Sequence, residues 1–238
     1  ATVENGVVTP KAAGTATITA KTNDGGKTAE CTVMVGPAAT IAQQFPDLDL
    51  ASAIAKWLGM SVDSVITKDV IAENIPETND ELYLYGIADM TGFDIFNGTN
   101  LKTLTIEFSD LTSLDVSELT NLTVLDVSYN NNLSSLGVNR LTNLKELHVY
   151  LNNLTSLDVS GLNNLAVLSV CDDSLASIDV SNLTNLEELY LYGDNLTSTG
   201  VSKLTNLAAL GAYYKNFTSL DISIFTNLAV LDVSYNDL

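Results

Sequence analysis

The stretch LTNLKELHVYLNNLTSLDVSGLNNL, residues 141–165, closes on a variant of the four residues that open it. LTNL also stands at 119–122, 183–186 and 204–207, and GTNL (98–101), LNNL (162–165) and FTNL (225–228) are variants. With the final Leu as position 1, copies begin at Leu101, Leu122, Leu144, Leu165, Leu186, Leu207 and Leu228, at intervals of 21, 22, 21, 21, 21 and 21 residues. A divergent copy begins at Asn79. A fixed period of this length predicts stacked coils, because one unit cannot bury its apolar side chains alone.

Position 4 holds Leu82, Leu104, Leu125, Leu147, Leu168, Leu189, Leu210 and Leu231, and position 6 is apolar in every copy, from Leu84 to Val233. Apolar residues two apart share one face of a strand. A second alternating pair, as in Leu114/Val116, Leu136/Val138, Leu157/Val159, Ile178/Val180 and Leu220/Ile222, predicts another extended segment across each coil. Position 21 is Asn from Asn100 to Asn227, flanked by core Leu; this predicts a shielded ladder of amides between coils rather than a binding row. The apparent glycosylation sequons at Asn121, Asn153 and Asn195 follow from the repeat itself.

These residues resemble the 21-residue leucine-rich repeats of bacterial internalin-like proteins, over residues 79–238. The resemblance implies a mainly β solenoid, a right-handed coil stack of seven repeats plus a fragment. It also implies a cell-surface or secreted location and a role in adhesion or host contact. Where some relatives carry a cysteine ladder at position 6, this row is aliphatic, and Cys171 stands at position 7.

Residues 39–78 lose the period and read as helical. Asp47 caps a helix bearing Leu50, Ile54, Trp57 and Leu58, with Gly59 past its end. Thr67 caps a second helix, with Ile66 and Ile71 as a hydrophobic staple. The segment resembles the helical cap of internalin-like proteins. Asp47 and Asp49 lack the ligand spacing of a calcium loop, so capping is the favoured reading. Residues 1–38 are rich in Thr, Val, Ala and Gly, with turn signals at Asn5-Gly6 and at 23–26 between alternating runs. They resemble part of an all-β bacterial Ig-like domain of group 2, with Cys31 a buried small hydrophobe.

With positions 4 and 6 inward, positions 3, 5 and 7 point outward; in leucine-rich repeats that face is concave. Position 5 carries Tyr83, His148 and Tyr190; position 7 carries Tyr85, Tyr150, Tyr192 and Tyr213; position 8 carries Tyr129, Tyr214 and Tyr235. These are all nine tyrosines of the chain and its only histidine. Tyrosine combines a stiff apolar body with a polar tip, which suits binding surfaces. Strand preference alone leaves unexplained why the LDVS segments have none. The ten residues are therefore the candidate partner-binding set. The partner expected is a protein with a basic patch, with a glycan as second choice.

The 238 residues carry 29 acidic and 10 basic side chains, net −19, of which residues 79–238 contribute −15 from 20 acidic and 5 basic. That charge repels nucleic-acid phosphates and anionic membrane surfaces, and no apolar run reaches the length of a membrane span. One His and two distant Cys supply neither a multi-His metal site nor a disulfide framework, so no metal, cofactor or Cys31–Cys171 bridge is expected. Asp126, His148 and Ser169 fall in adjacent rows, but an open sheet offers no water-excluding oxyanion site. The expectation is a non-enzymatic binding module; the alternative is a spacer that presents another module and has no ligand of its own.

Overall fold

The structure, a computed structural model, describes residues 2–4, 7–9, 14–21, 27–36, 38–75, 81–171, 174–193, 197–213 and 221–237. The strands β1 (Thr2–Glu4) and β2 (Val7–Thr9) pair antiparallel, as do β3 (Gly14–Lys21) and β4 (Thr28–Val35). Each pair is a separate two-stranded ribbon. Cys31, opposite Ile18, is exposed and unbridged, against the expectation of a buried side chain: among the described residues no second sheet covers this ribbon. The turns read at Asn5-Gly6 and at 23–26 lie outside the described residues.

Three helices follow, α1 (Ile41–Gln44), α2 (Leu48–Trp57) and α3 (Lys68–Asn74). Thr40 closes a capping box with Gln43 at the start of α1, a helix the sequence reading omits. Asp47 and Thr67 cap α2 and α3 as their side chains allow, and Gly59 takes a positive φ of 66° just past α2. Leu50, Ala51, Ile54 and Ala55 of α2 and Ile71 of α3 are buried in the same apolar cluster as the repeats. Phe45, Phe93 and Phe96 fill this junction; Phe93 and Phe96 lie 4.8 Å apart, in a short 3-10 turn that the sequence reading also omits.

The repeats then supply β5 (Glu81–Tyr85), β6 (Thr103–Glu107), β7 (Ser113–Asp115), β8 (Val124–Ser128), β9 (Ser135–Gly137), β10 (Glu146–Tyr150), β11 (Val167–Cys171), β12 (Ser177–Asp179), β13 (Glu188–Tyr192), β14 (Thr197–Thr199), β15 (Ala209–Tyr213) and β16 (Val230–Asp232). Eight of these form one parallel sheet in the order β16-β15-β13-β11-β10-β8-β6-β5. Each residue pairs with its counterpart one repeat away, as in Leu125↔Leu147↔Leu168↔Leu189. The result is a β-solenoid of about seven turns whose position-4 and position-6 side chains are buried through β15. Leu231, on the edge strand β16, is exposed because no strand pairs beyond it among the described residues.

The second extended segment is less regular than its pattern predicts. Among the described residues it forms strands only as the pairs β7–β9 and β12–β14, and Leu157 and Val159 are buried without a strand. What recurs there is a side-chain turn. Asp115, Asp158, Asp179 and Asp221 each accept the backbone amide of the Ser two residues on, at 2.9–3.0 Å, as Asp232 does at the end of β16. This Asx turn explains the DVS of the motif and bends the chain without a ladder partner.

Two amide ladders tie the coils together. At position 21 the Nδ2 of Asn121, Asn143, Asn164, Asn185 and Asn206 donates to a carbonyl of the preceding coil at 2.8–2.9 Å. The bonding role matches the expectation, but Asn143, Asn164, Asn185 and Asn206 are exposed, not shielded. The buried ladder is at position 9. Asn130 accepts the Ser109 amide and donates to the carbonyls of Ile106 and Ser128; Asn152 accepts the Asn130 amide and donates to Val127. The sequence reading passed over this row, though SYN at 128–130 and 234–236 was its visible signal.

Candidate functional site

The outer face of the eight-stranded sheet carries the tyrosines because in-register parallel pairing stacks like positions from coil to coil. Tyr83, Tyr85, Tyr129 and Tyr235 are exposed, and His148, Tyr150, Tyr190, Tyr192 and Tyr213 are half-buried. Tyr214 lies outside the described residues. Tyr192 and Tyr213 stack at 4.5 Å with their planes 6° apart, and Tyr150 reaches Tyr192 at 6.5 Å past Cys171. At the other end Tyr85, Phe108 and Tyr129 form a second run, with centroids 5.4 and 4.7 Å apart.

Not every outward position reaches solvent. Thr105, Ser128 and Ser169 are buried to 7%, 1% and 2% exposure, because larger neighbours on the same face cover them. Gly211 is covered too, by the rings beside it. A Cβ there would lie 2.6 Å from Tyr190 Cδ1 and 3.0 Å from Tyr213 Cε2. The missing side chain gives those two rings their place against the sheet.

Carboxylates set the electrostatics. Positions 3, 5 and 7 hold Glu81, Glu107, Asp126, Glu146, Glu188 and Asp232 and neither Lys nor Arg. Three phenols donate to them: Tyr83 to Glu107 at 2.7 Å, Tyr190 to Glu188 at 3.1 Å and Tyr213 to Asp232 at 2.6 Å. The bond to Glu107 pushes the Tyr83 phenol up to about 12, and the bond to Asp232 likewise raises Tyr213. Burial, then Glu188, raises Tyr190. Asp232 is held low, first by the Ser234 hydroxyl and then by Tyr213. Burial raises Asp126 despite the Ser128 hydroxyl that bonds it.

Asp126, His148 and Ser169 are register neighbours, but no hydrogen bond joins His148 to either, and Ser169 is buried. His148 instead lies 3.8 Å from Glu146 and stacks on Tyr150. Cys171, half-buried and in no disulfide, sits between Tyr150 and Tyr192; its neighbours 172–173 lie outside the described residues. Among the described residues no cluster of three His, Cys, Asp or Glu is placed to hold a metal, and no helix is long and apolar enough to cross a membrane.

Position 8 has its own backbone signature. It takes a positive φ at Gly86 (72°), Phe108 (50°), Tyr129 (58°), Leu151 (49°), Gly193 (109°) and Tyr235 (58°). The left-handed region costs an L-residue roughly 1–2 kcal/mol, and glycine almost nothing. Backbone bonds to the next coil hold the bulky residues there: Tyr129 N–H donates to Tyr150 O at 2.8 Å and Leu151 N–H to Cys171 O at 2.7 Å.

The fold is that of known solved structures. The chain is similar to an internalin-like protein of Listeria monocytogenes, lmo2027, at 21% identity and a TM-score of 0.54, over 84% of this chain and 64% of that one. It is also similar to InlP of Listeria monocytogenes, at 20% identity and a TM-score of 0.51, over 85% and 55%. The chain thus spans about half to two thirds of those two proteins. At such identities the likeness shows the fold, an internalin-like leucine-rich-repeat solenoid. No family model matches the chain, and no curated protein matches it.

Proposed function

We propose that this chain is a non-enzymatic binding module of a bacterial surface or secreted protein, and that it recognises a protein through the Tyr-rich face of its sheet. The observation that carries the reading is the gathering of the phenols on one wall among carboxylates, with no Lys or Arg at positions 3, 5 or 7. A rigid coil stack holds these side chains in fixed rows, so association orders little. The carboxylates steer a basic partner patch, which makes the on-rate fall with salt. A protein is favoured over a glycan because Tyr83, Tyr190 and Tyr213 spend their hydroxyls on the chain's own carboxylates.

Within this reading, helices α1–α3 act as the cap that closes the apolar edge of the first coil. The N-terminal ribbons are part of an Ig-like module. The test replaces Tyr190, Tyr192, Tyr213 and Tyr214 by Ser and compares pull-downs from extracellular extracts. Partner capture should drop at least tenfold while the thermal midpoint moves by no more than about 5 °C. Unchanged capture refutes the reading.

A further inference from the structure

We propose that the row Tyr85, Phe108, Tyr129 and Leu151 is a docking ridge for a basic amphipathic helix. This rests on the protein-binding reading above and adds to it a second, separate contact area at one edge of the sheet, with its own class of partner segment. Tyr85 ends β5, and Phe108, Tyr129 and Leu151 directly follow β6, β8 and β10; the four are 59%, 50%, 41% and 44% exposed. Such a run of large apolar groups left in water is itself a mark of an interaction surface.

The backbone sharpens the argument. Phe108, Tyr129 and Leu151 occupy left-handed positions that Gly86 and Gly193 fill elsewhere in the same column. Glycine would serve the turn at lower conformational cost, so the turn does not call for these side chains. Strain of this kind, borne by bulky exposed groups, directs attention to what the side chains touch when a partner is present.

The shape selects the partner. The rings of Phe108 and Tyr129 stack 4.7 Å apart with their planes 2° from parallel, and Tyr85 leans on Phe108 at 5.4 Å. Stacked rings turn their edges outward, which makes a ridge rather than the open ring faces on which a sugar would lie. Neighbouring strands are about 4.8 Å apart, so the row spans about 14 Å. An α-helix covers that length in about ten residues. Its apolar residues at i, i+3 or i+4, i+7 and i+10 or i+11 then fall in step with the four side chains. Glu81, Glu107, Asp126 and Glu146 lie on the same strands. Glu107, next to Phe108, matches a Lys or Arg flanking the apolar stripe of the helix, and the carboxylates further back steer it.

The test is a titration of the full chain against a fluorescent fourteen-residue Leu/Lys peptide with Leu at helical spacing. A scrambled peptide of the same composition is the control. The patterned peptide should bind at least tenfold tighter than the scramble and weaken in high salt. Phe108→Gly and Tyr129→Gly relieve the left-handed strain, so the unfolding midpoint should hold or rise while patterned-peptide affinity drops at least tenfold. Phe108→Asn, which also tolerates that backbone, serves if the glycine variant fails to fold. Equal binding of the two peptides, or unchanged affinity in these variants, overturns the ridge. A dimer that Phe108→Gly dissociates, with no peptide bound, overturns it in favour of a second copy. The fourfold Tyr→Ser variant separates the two readings: it should lose partner capture yet keep peptide affinity within twofold. Loss of both capture and peptide in that variant overturns a distinct ridge.

Discussion

Asp47 and Ala88 stand 41 residues apart, yet Asp47 Oδ2 accepts the Ala88 amide at 2.8 Å and the Asp89 amide at 3.0 Å. The other oxygen, Oδ1, accepts the amides of Asp49 and Leu50 at the start of α2. One carboxylate thus joins the helical segment to the turn after the first strand of the solenoid. Burial pulls its pKa upward, but the amides of Leu50, Ala88, Asp89 and Asp49 together outweigh burial and hold it below the usual value.

Asp47→Asn separates the two roles. Asn caps helices about as well as Asp, but its Nδ2 would face two donors. The variant should lose about 1–2 kcal/mol in urea unfolding followed by the fluorescence of Trp57, the chain's only Trp; Asp47→Ala should lose roughly 1 kcal/mol more. Because the folded pKa is depressed, the contribution is present above the ordinary aspartate value near 3.9 and is lost as pH falls through the folded value. An Asp47→Asn midpoint equal to wild type at pH 7 would show that the bridge contributes nothing.

Asn130 should be the costliest polar side chain to remove. It is fully buried and satisfies one amide and two carbonyls from two coils. Asn130→Leu strands those groups and should cost about 3 kcal/mol. Asn143→Ala removes one exposed bond and should cost under about 1 kcal/mol. Similar losses for the two, by urea midpoint, would contradict the distinction between the ladders.

Gly211→Ala is expected to change the tyrosine wall more than the stability. The added methyl meets the rings of Tyr190 and Tyr213, and rings can swing outward where backbone cannot. The near-UV circular dichroism from tyrosine should fall while the urea midpoint shifts by less than about 1 kcal/mol. An unaltered near-UV spectrum would mean that the glycine is not what seats the rings.

The Tyr83–Glu107 bond predicts a late phenol titration. With Glu107 in place, Tyr83 ionises near 12. Its folded pKa is raised, so the bond's contribution to stability is present below the ordinary phenol value near 10 and is lost as pH rises through about 12. In Glu107→Gln, one phenol in the ultraviolet titration should move down toward 10. A titration curve identical to wild type would rule out the assignment.

Much of this architecture is legible in the repeat itself. Leu82 to Leu231 recur at one position of every copy, and chain connectivity then forces like residues into register, so the apolar columns and the outward tyrosines follow from spacing alone. Thr40 as a cap, the 3-10 turn at Phe93–Phe96 and the buried row through Asn130 are harder to read, because they depend on a few irregular residues between periodic ones.

By itself, the sequence determined the coil stack and the side of it on which each described tyrosine stands, since a periodic chain has one arrangement that buries its repeating leucine columns together. Only the tertiary structure decided which outward residues meet water. Ser169 is covered and Phe108 is not, although the sequence places both on outward strand positions or their ends. It likewise decided that Asp47 reaches Ala88 and that Gly211 seats two rings. Those outcomes depend on neighbours supplied by distant parts of the chain, and accessibility is a property of that neighbourhood, not of the residue.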